Sequence, residues 1–316
     1  MTGSVANQAT PEPSRTPSRA GFLGRLREEY RASDKAGYLF CLPYVAYFAV
    51  FTAYPLIFAF ILVFNKWDIV SPMQFVGFRN MQRLASDATF WMAFANTLRF
   101  LSLHIPLEII LSILIAVILN EQISFRPFFR GAFFLPFVIS GAVVTILWQQ
   151  LFSTDSGVLN LLLYRMGLHG LGWLTDPSLA IYSIAIMATW KNVGFYIVLF
   201  LAGLQGVPHE LHEAASIDGA NKSQQFWKIT LPLLNPVVVL VAVLSTIGGF
   251  SLFIEPFVMT GGGPAESTLS VVLYLYKQAF QFLRMGYAAT IGFALAVMIF
   301  VVTLIQRKLI ETEQLY

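Results

Sequence analysis

Six long apolar runs organise this chain, at 39–64, 94–119, 129–152, 179–204, 233–258 and 286–306. A helix needs roughly 20 apolar residues to cross about 30 Å of hydrocarbon, and each run meets that length. Polar positions gather in short connections between the runs, with one exception. Residues 205–231, between the fourth and fifth runs, form a polar, helix-forming stretch longer than most connections. The pattern predicts an all-α membrane protein, a polytopic bundle of six transmembrane helices. Several runs contain proline (Pro43, Pro55, Pro106, Pro136, Pro236, Pro256). In lipid this is tolerated where neighbouring helices or side chains satisfy the freed backbone groups, which points to a packed bundle rather than isolated anchors.

The long polar stretch has its own internal order. Pro208 suits the first turn of a helix, where its missing N–H costs nothing. The pattern then predicts a helix over 209–217, with Gly219 taking the left-handed conformation that ends it. Asn221, with Gln224 three residues on, marks the start of a second short helix that ends before Pro232. Leu211, Ala214, Ala215 and Asp218 share one face of the first helix, and the small alanines let another surface approach closely. The segment reads as a helical hairpin offered to a partner.

Composition agrees with the membrane reading. The chain is 57% hydrophobic and 12% charged, with mean hydropathy +0.68 and 29 Phe, against roughly 25% charged in a soluble domain. A net charge of +3 is too small to suggest a nucleic-acid partner. One cysteine, Cys41, excludes an internal disulfide and reads as a small buried hydrophobe. Three regions follow. Residues 1–36 form a cytoplasmic tail, whose first 18 residues read as disordered and whose basic 21–35 stretch suits a short helix on the lipid surface. Residues 37–310 form the transmembrane domain, with the loop 205–231, and 311–316 form a C-terminal tail. Lys and Arg number twelve on the cytoplasmic side against six outside if the N-terminus is inside. The positive-inside rule therefore places both termini and the 205–231 loop in the cytoplasm.

Ionisable groups within spans are expensive and mark candidate sites. Lys191-Asn192 lie in the fourth run with Tyr196 one turn on, and Ser251 and Glu255 in the fifth run are four apart and so on one face. Trp190, Phe250 and Phe253 flank them. Aromatic faces with hydrogen-bonding tips suit a sugar, whose C–H faces stack while its hydroxyls demand partners. Asn192, Tyr196, Ser251 and Glu255 are therefore the candidate substrate residues. Arg99, His104 and Glu108 are read as contacts within the bundle, with His104 and Glu108 one turn apart. Gln149 and Gln150 are read as reaching the external surface. The chain contains no G-x-x-x-x-G-K-[ST] run, so any ATP hydrolysis belongs to a partner. His209 and His212 are spaced one residue too closely for a zincin motif, and no metal site or catalytic triad is assembled.

The 205–231 stretch resembles the EAA loop of ABC importer permeases: Glu213, Ala214, Ala215, Gly219, Ile229, Leu231 and Pro232 match it position by position, and Asp218-Gly219-Ala220 is its commonest form. Phe75-Val-Gly-Phe78 with Asn80, and Gly262-Gly263-Pro264 with Thr268, are similar to external segments of sugar-importer permeases of the maltose and glycerol-phosphate type. The chain lacks the extra spans and large external domain of the maltose member. The resemblance implies a type I permease fold in the cytoplasmic membrane. Glu213, Ala214, Ala215, Asp218, Gly219, Ala220 and Phe226 would then dock a separate ATPase subunit. It further implies a second permease, two ATP-binding subunits that hold ATP and Mg, an external solute-binding protein, no cofactor of this chain's own, and alternating access. A sugar or oligosaccharide is the expected cargo. Glycerol phosphate, an amino acid or a peptide is the alternative, but Lys191 is the one cation in the candidate pocket and Glu255 opposes it. An ion-coupled secondary transporter, with Glu108 or Glu255 as coupling carboxylate, is the rival from another class.

Overall fold

The computed structural model describes residues 37–121 and 124–310; the tails expected over 1–36 and 311–316 lie outside them. Five helices are long and apolar enough to cross a membrane: Gly37–Val63, Ala88–Asn120, Ala180–Gln205, Asn235–Met259 and Met285–Ile310. They correspond to the first, second, fourth, fifth and sixth apolar runs. The chain divides into two compact units at Phe58. Along 37–51 every side chain is exposed, Cys41 included. The burial expected of that cysteine is therefore not observed, because its stretch of helix turns no side chain inward.

The third run departs from the expected straight span. It forms two helices, Arg126–Val138 and Gly141–Leu151, bent by 96°; counted as one span, the pair brings the total to six. Pro136 removes a helical donor just before the break, and Ile139 then takes extended backbone angles (φ −69°, ψ 142°). The first half packs on the fourth span, and the second half packs on the outer part of the fifth.

The fifth span is also interrupted. Its helix stops at Phe250 and resumes at Ile254, so Ser251 and Glu255 do not share a continuous helical face as their spacing predicts. Gly248-Gly249 weakens the helix before the gap, and Pro256 cannot bond back to the carbonyl of Leu252. That carbonyl accepts the Ser270 hydroxyl instead, at 2.6 Å. A side chain from the segment after the fifth span thus supplies the donor that proline lacks. Two other prolines are handled by widening the turn before them. Tyr54 N–H, ahead of Pro55, and Leu231 N–H, ahead of Pro232, each reach back five residues, to Ala49 and Phe226.

Two hydrophobic clusters hold residues 59–310 together. The outer one gathers Phe90, Phe100, Ile184, Met187, Phe250 and Ile291; the inner one gathers Ile113, Ile197, Phe200, Leu201, Leu234 and Val241. Small residues let the helices approach, as in other membrane bundles. A Cβ on Gly194 would lie 2.0 Å from the Phe133 carbonyl oxygen, so the fourth span and the first half of the broken third cross backbone to backbone.

The end of the bundle opposite the 205–234 segment is fastened by polar side chains. Asp87 caps the second span, its Oδ1 accepting Thr89 N–H at 3.0 Å and Phe90 N–H at 3.2 Å. Its Oδ2 accepts the Tyr274 hydroxyl at 2.6 Å and the Tyr287 hydroxyl. One carboxylate therefore ties the second span to the short helix Val271–Tyr276 and to the sixth span. The Arg83 guanidinium lies 4.1 Å above the Tyr287 ring. Burial pushes the Asp87 carboxyl up, but the two phenols and two backbone N–H groups outweigh it and hold the group below the usual 3.8. Burial and then the Asp87 carboxylate push Tyr274 up to about 12.

A carboxyl held low in the folded state stabilises above its unfolded value, and loses that contribution as pH falls through the folded value. Asp87→Asn is expected to lower the melting temperature in detergent at neutral pH by on the order of a few °C. The gap from wild type should shrink as pH drops below 3.8. Melting curves of both proteins across that range check it, and a gap that is constant with pH contradicts the clasp.

Candidate functional site

The segment between the fourth and fifth spans folds into a hairpin that closes on itself. Its first helix is His209–Ile217, as the sequence predicts. Pro208 is the N-cap in extended conformation rather than a first-turn residue. The helix ends in a Schellman motif: Ala220 N–H bonds the Ala215 carbonyl at 2.8 Å and Gly219 N–H the Ser216 carbonyl at 3.1 Å. Gly219 takes φ +80°, where a Cβ is strained. The second helix begins with the predicted capping box, Gln224 N–H to Asn221 Oδ1 and Asn221 N–H to Gln224 Oε1, both 2.9 Å. It does not end before Pro232. Lys222–Gln225 passes through the wide turn Phe226–Thr230 into Leu231–Leu233, because that turn absorbs the proline's missing donor.

Gln225 fastens the two halves. Its Nε2 donates to Ser216 Oγ at 2.9 Å and to the Ala220 carbonyl at 3.0 Å, and its Oε1 lies 3.3 Å from His212 Nδ1. Sequence reasoning passed over this residue, since an i+9 bridge leaves no local signature. The two histidines face different partners, His209 Nδ1 lying 3.0 Å from Glu213 Oε1. Among the described residues no group of three or more His, Cys, Asp or Glu is placed to hold a metal.

The hairpin presents an apolar outer face. Ile217 is 87% exposed, Trp227 62% and Leu211 43%, with Glu213, Ala214, Asp218 and Gly219 exposed around them and Ala215 and Ala220 half-buried. Phe226 points the other way and packs against the inner cluster, so it anchors the hairpin to the spans. Lys222 Nζ lies 3.5 Å from Glu121 Oε1 at the end of the second span, an exposed pair worth about 0–1 kcal/mol. Between hairpin and span ends is a cavity of about 570 Å³, lined by Asn120, Gln205, His212, Gln225 and Phe226 among others.

The candidate substrate residues separate into distinct surroundings. Asn192 is half-buried on the fourth span. Tyr196, one turn on, is buried within the inner cluster. Ser251, at the break in the fifth span, is exposed and donates to the Ile247 carbonyl at 2.9 Å. Glu255 is half-buried beyond the break, as Lys191 is on the fourth span. The predicted aromatic company is present. Trp190 packs on Trp148 at 5.4 Å, and Phe253 on Phe257 at 5.2 Å and Tyr276 at 5.1 Å. Phe257 and Tyr276 went unmarked in the sequence because the broken helix brings them together.

Of the three residues read as bundle contacts, His104 and Glu108 reach other spans: His104 Nδ1 meets Thr189 Oγ1 at 2.8 Å, and Glu108 accepts from Ser245. Arg99 is exposed, and its bond to Asn96 Oδ1 at 3.2 Å stays within its own helix. Gln149 donates to the Met259 carbonyl at 3.2 Å. With Gln150 it lines a second cavity of about 570 Å³ at the end opposite the hairpin.

Comparison with known proteins places this geometry in a wider set. The model of the family described as binding-protein-dependent transport system inner membrane component matches residues 100–311. The arabinooligosaccharides transport system permease protein AraP of Bacillus subtilis is 38% identical over 296 residues, covering 93% of this chain and 94% of that protein. The lactose transport system permease protein LacF of Rhizobium radiobacter is 36% identical over 282 residues, covering 87% and 94%. A solved structure of a bacterial alginate ABC transporter, in complex with an alginate pentasaccharide-bound periplasmic protein, contains a chain that superposes with a TM-score of 0.78. That chain is 25% identical, and the match covers 89% of this chain and 95% of the other.

Proposed function

The chain belongs to the family of inner-membrane permease components of binding-protein-dependent ABC importers, and we propose that it carries a sugar or oligosaccharide across the cytoplasmic membrane by alternating access. The observation that carries the coupling part of this reading is the self-closed hairpin 208–234, between the fourth and fifth spans, with its exposed Ile217, Glu213 and alanine face. It is a rigid projection with no polar group left needing a partner in its turn, and its inner side is anchored to the bundle through Phe226. Glu213, Ala214, Ala215, Asp218, Gly219 and Ala220 form the docking surface for an ATPase subunit, which binds ATP and Mg. A second permease completes the channel, two ATPase subunits dock on the cytoplasmic side with both termini of this chain, and an external solute-binding protein delivers cargo. Closure of the ATPase pair displaces the hairpin, and the spans pass the displacement to the solute path.

The cargo part rests on the relatives, which are named for arabinooligosaccharides, lactose and alginate, and on the chemistry of the fourth and fifth spans. Asn192, Tyr196, Ser251 and Glu255 line the path in this reading, with Trp190 and Phe253 offering stacking faces. A neutral polyol is favoured, since Lys191 is the one cation in the proposed pocket and Glu255 opposes it in charge.

Purification through a tag on this chain in mild detergent is expected to bring down a P-loop ATPase and a second permease with the same loop. Recovery of this chain alone, still moving solute after reconstitution, would overturn the reading. Within such a complex, Gly219→Val forces a β-branched residue to φ +80°. It is expected to abolish transport and substrate-stimulated ATPase while the chain remains in the membrane. Normal stimulated ATPase in that variant contradicts the docking role. Glu255→Ala is expected to raise the sugar concentration needed for half-maximal uptake, by about tenfold for one lost charge-assisted contact, without releasing the ATPase. An unchanged concentration dependence removes Glu255 from the path.

A further inference from the structure

The two hydrophobic clusters do not merge. On each of three spans a buried polar residue sits between the last member of the outer cluster and the first of the inner one. His104 and Glu108 lie between Leu101 and Ile113 on the second span, Thr189 between Ala188 and Val193 on the fourth, and Ser245 between Phe250 and Val241 on the fifth. All four are essentially enclosed: Glu108 is 0% exposed, Thr189 and Ser245 1%, and His104 3%. A polar layer thus crosses the bundle at one level, between two clusters built of apolar side chains.

Its hydrogen bonds form a directed chain. Thr189 donates to the Ala185 carbonyl at 2.8 Å, so its oxygen accepts His104 Nδ1–H, also at 2.8 Å. His104 then turns Nε2 toward Glu108 Oε2 at 3.4 Å. Two bare acceptors facing each other repel, so a proton belongs between them. Ser245 donates its hydroxyl to the same carboxyl oxygen. Two of these links join different pairs of spans, fourth to second and second to fifth, and the His104–Glu108 contact connects them along the second span. Apolar side chains attract without direction and let helices slide past one another. A buried polar link is directional, and breaking it strands a donor or acceptor where no water replaces it.

We propose that Glu108, with His104, Thr189 and Ser245, is the joint that makes the second, fourth and fifth spans move as one body, and so carries a displacement of the hairpin from the inner half of the bundle to the outer half. The fourth and fifth spans are the two that flank the hairpin, and the joint is where both are fixed to a third. These are positioning residues acting on transport through the helices they hold. The proposal rests on the coupling role assigned to the hairpin above.

The test uses the transporter complex purified with its own partner chains, reconstituted with its binding protein and offered arabinotriose, lactose and maltotriose. The readouts are basal ATPase, sugar-stimulated ATPase and sugar carried per ATP. Glu108→Leu, close in volume, and Ser245→Val, which puts two methyl groups in place of the hydroxyl, remove the links. Each is expected to cut sugar carried per ATP by about tenfold, with basal ATPase and assembly close to wild type. Glu108→Gln has two N–H groups, one for His104 Nε2 and one for Ser245 Oγ, and is expected to restore coupling. If Glu108→Leu does not assemble, Ser245→Ala, which removes one hydroxyl, carries the same expectation. Wild-type coupling in Glu108→Leu, Ser245→Val or Ser245→Ala overturns the joint while leaving the importer reading intact. A wild-type complex whose ATPase no offered sugar stimulates overturns the importer reading, and the joint with it.

Discussion

Every backbone N–H and C=O that lies in hydrocarbon must find its partner within the protein, and most of what is distinctive in this chain follows from meeting that demand around its prolines. A straight helix meets it automatically; a proline breaks it. The chain answers in three ways. Wide turns before Pro55 and Pro232 move the helical ladder back by one residue. A hydroxyl from elsewhere in the fold, Ser270, takes up the Leu252 carbonyl that Pro256 abandons. At Pro136 the helix gives way and the span folds over on itself. The second half of the broken third span and the outer part of the broken fifth then pack against each other.

The interior built around those breaks is layered. Apolar clusters fill the inner and outer halves, and polar groups occur where three or more elements have to meet in one register. The Asp87 carboxylate joins the second span, the short helix Val271–Tyr276 and the sixth span. The Glu108 layer joins the second, fourth and fifth. Asn160 uses both its protons and its oxygen to fold the 154–173 loop around itself, bonding the Thr154 and Leu171 carbonyls, Leu171 N–H and the Trp173 indole. Hydrophobic area gives such a bundle its cohesion, while these few groups determine which surfaces face each other.

Much of this was legible in the sequence, and the parts that were not share a cause. Long apolar runs located the spans to within a few residues at most ends, since hydropathy is a sum over many positions and tolerates local detail. The hairpin was readable because its signals are local: Gly219 ends one helix, and Asn221 with Gln224 begins the next, within four residues of each other. The same locality explains the misses. Spacing alone placed Ser251 and Glu255 on one face, yet Gly248-Gly249 and Pro256 interrupt the helix between them. Pro136 was noted as a span proline, but whether such a residue bends, widens or breaks its helix depends on what neighbours can donate. His104 and Glu108 were paired by their one-turn spacing, whereas Ser245, 137 residues from Glu108, carries no mark in the sequence of the contact it makes.

The Schellman motif, the capping box and the Gln225 bridge mean that the hairpin has already lost its conformational freedom before any partner arrives. A loop that ordered only on contact would surrender much of its binding energy to that ordering. For the docking role proposed above, recognition would then be a meeting of finished shapes, with affinity set by the fit of a small alanine-lined face and the lifetime of the contact by how quickly that face is released rather than by refolding. An element so closed on itself would not melt between strokes, and a pull on it would be delivered as motion instead of being dissipated in local unfolding.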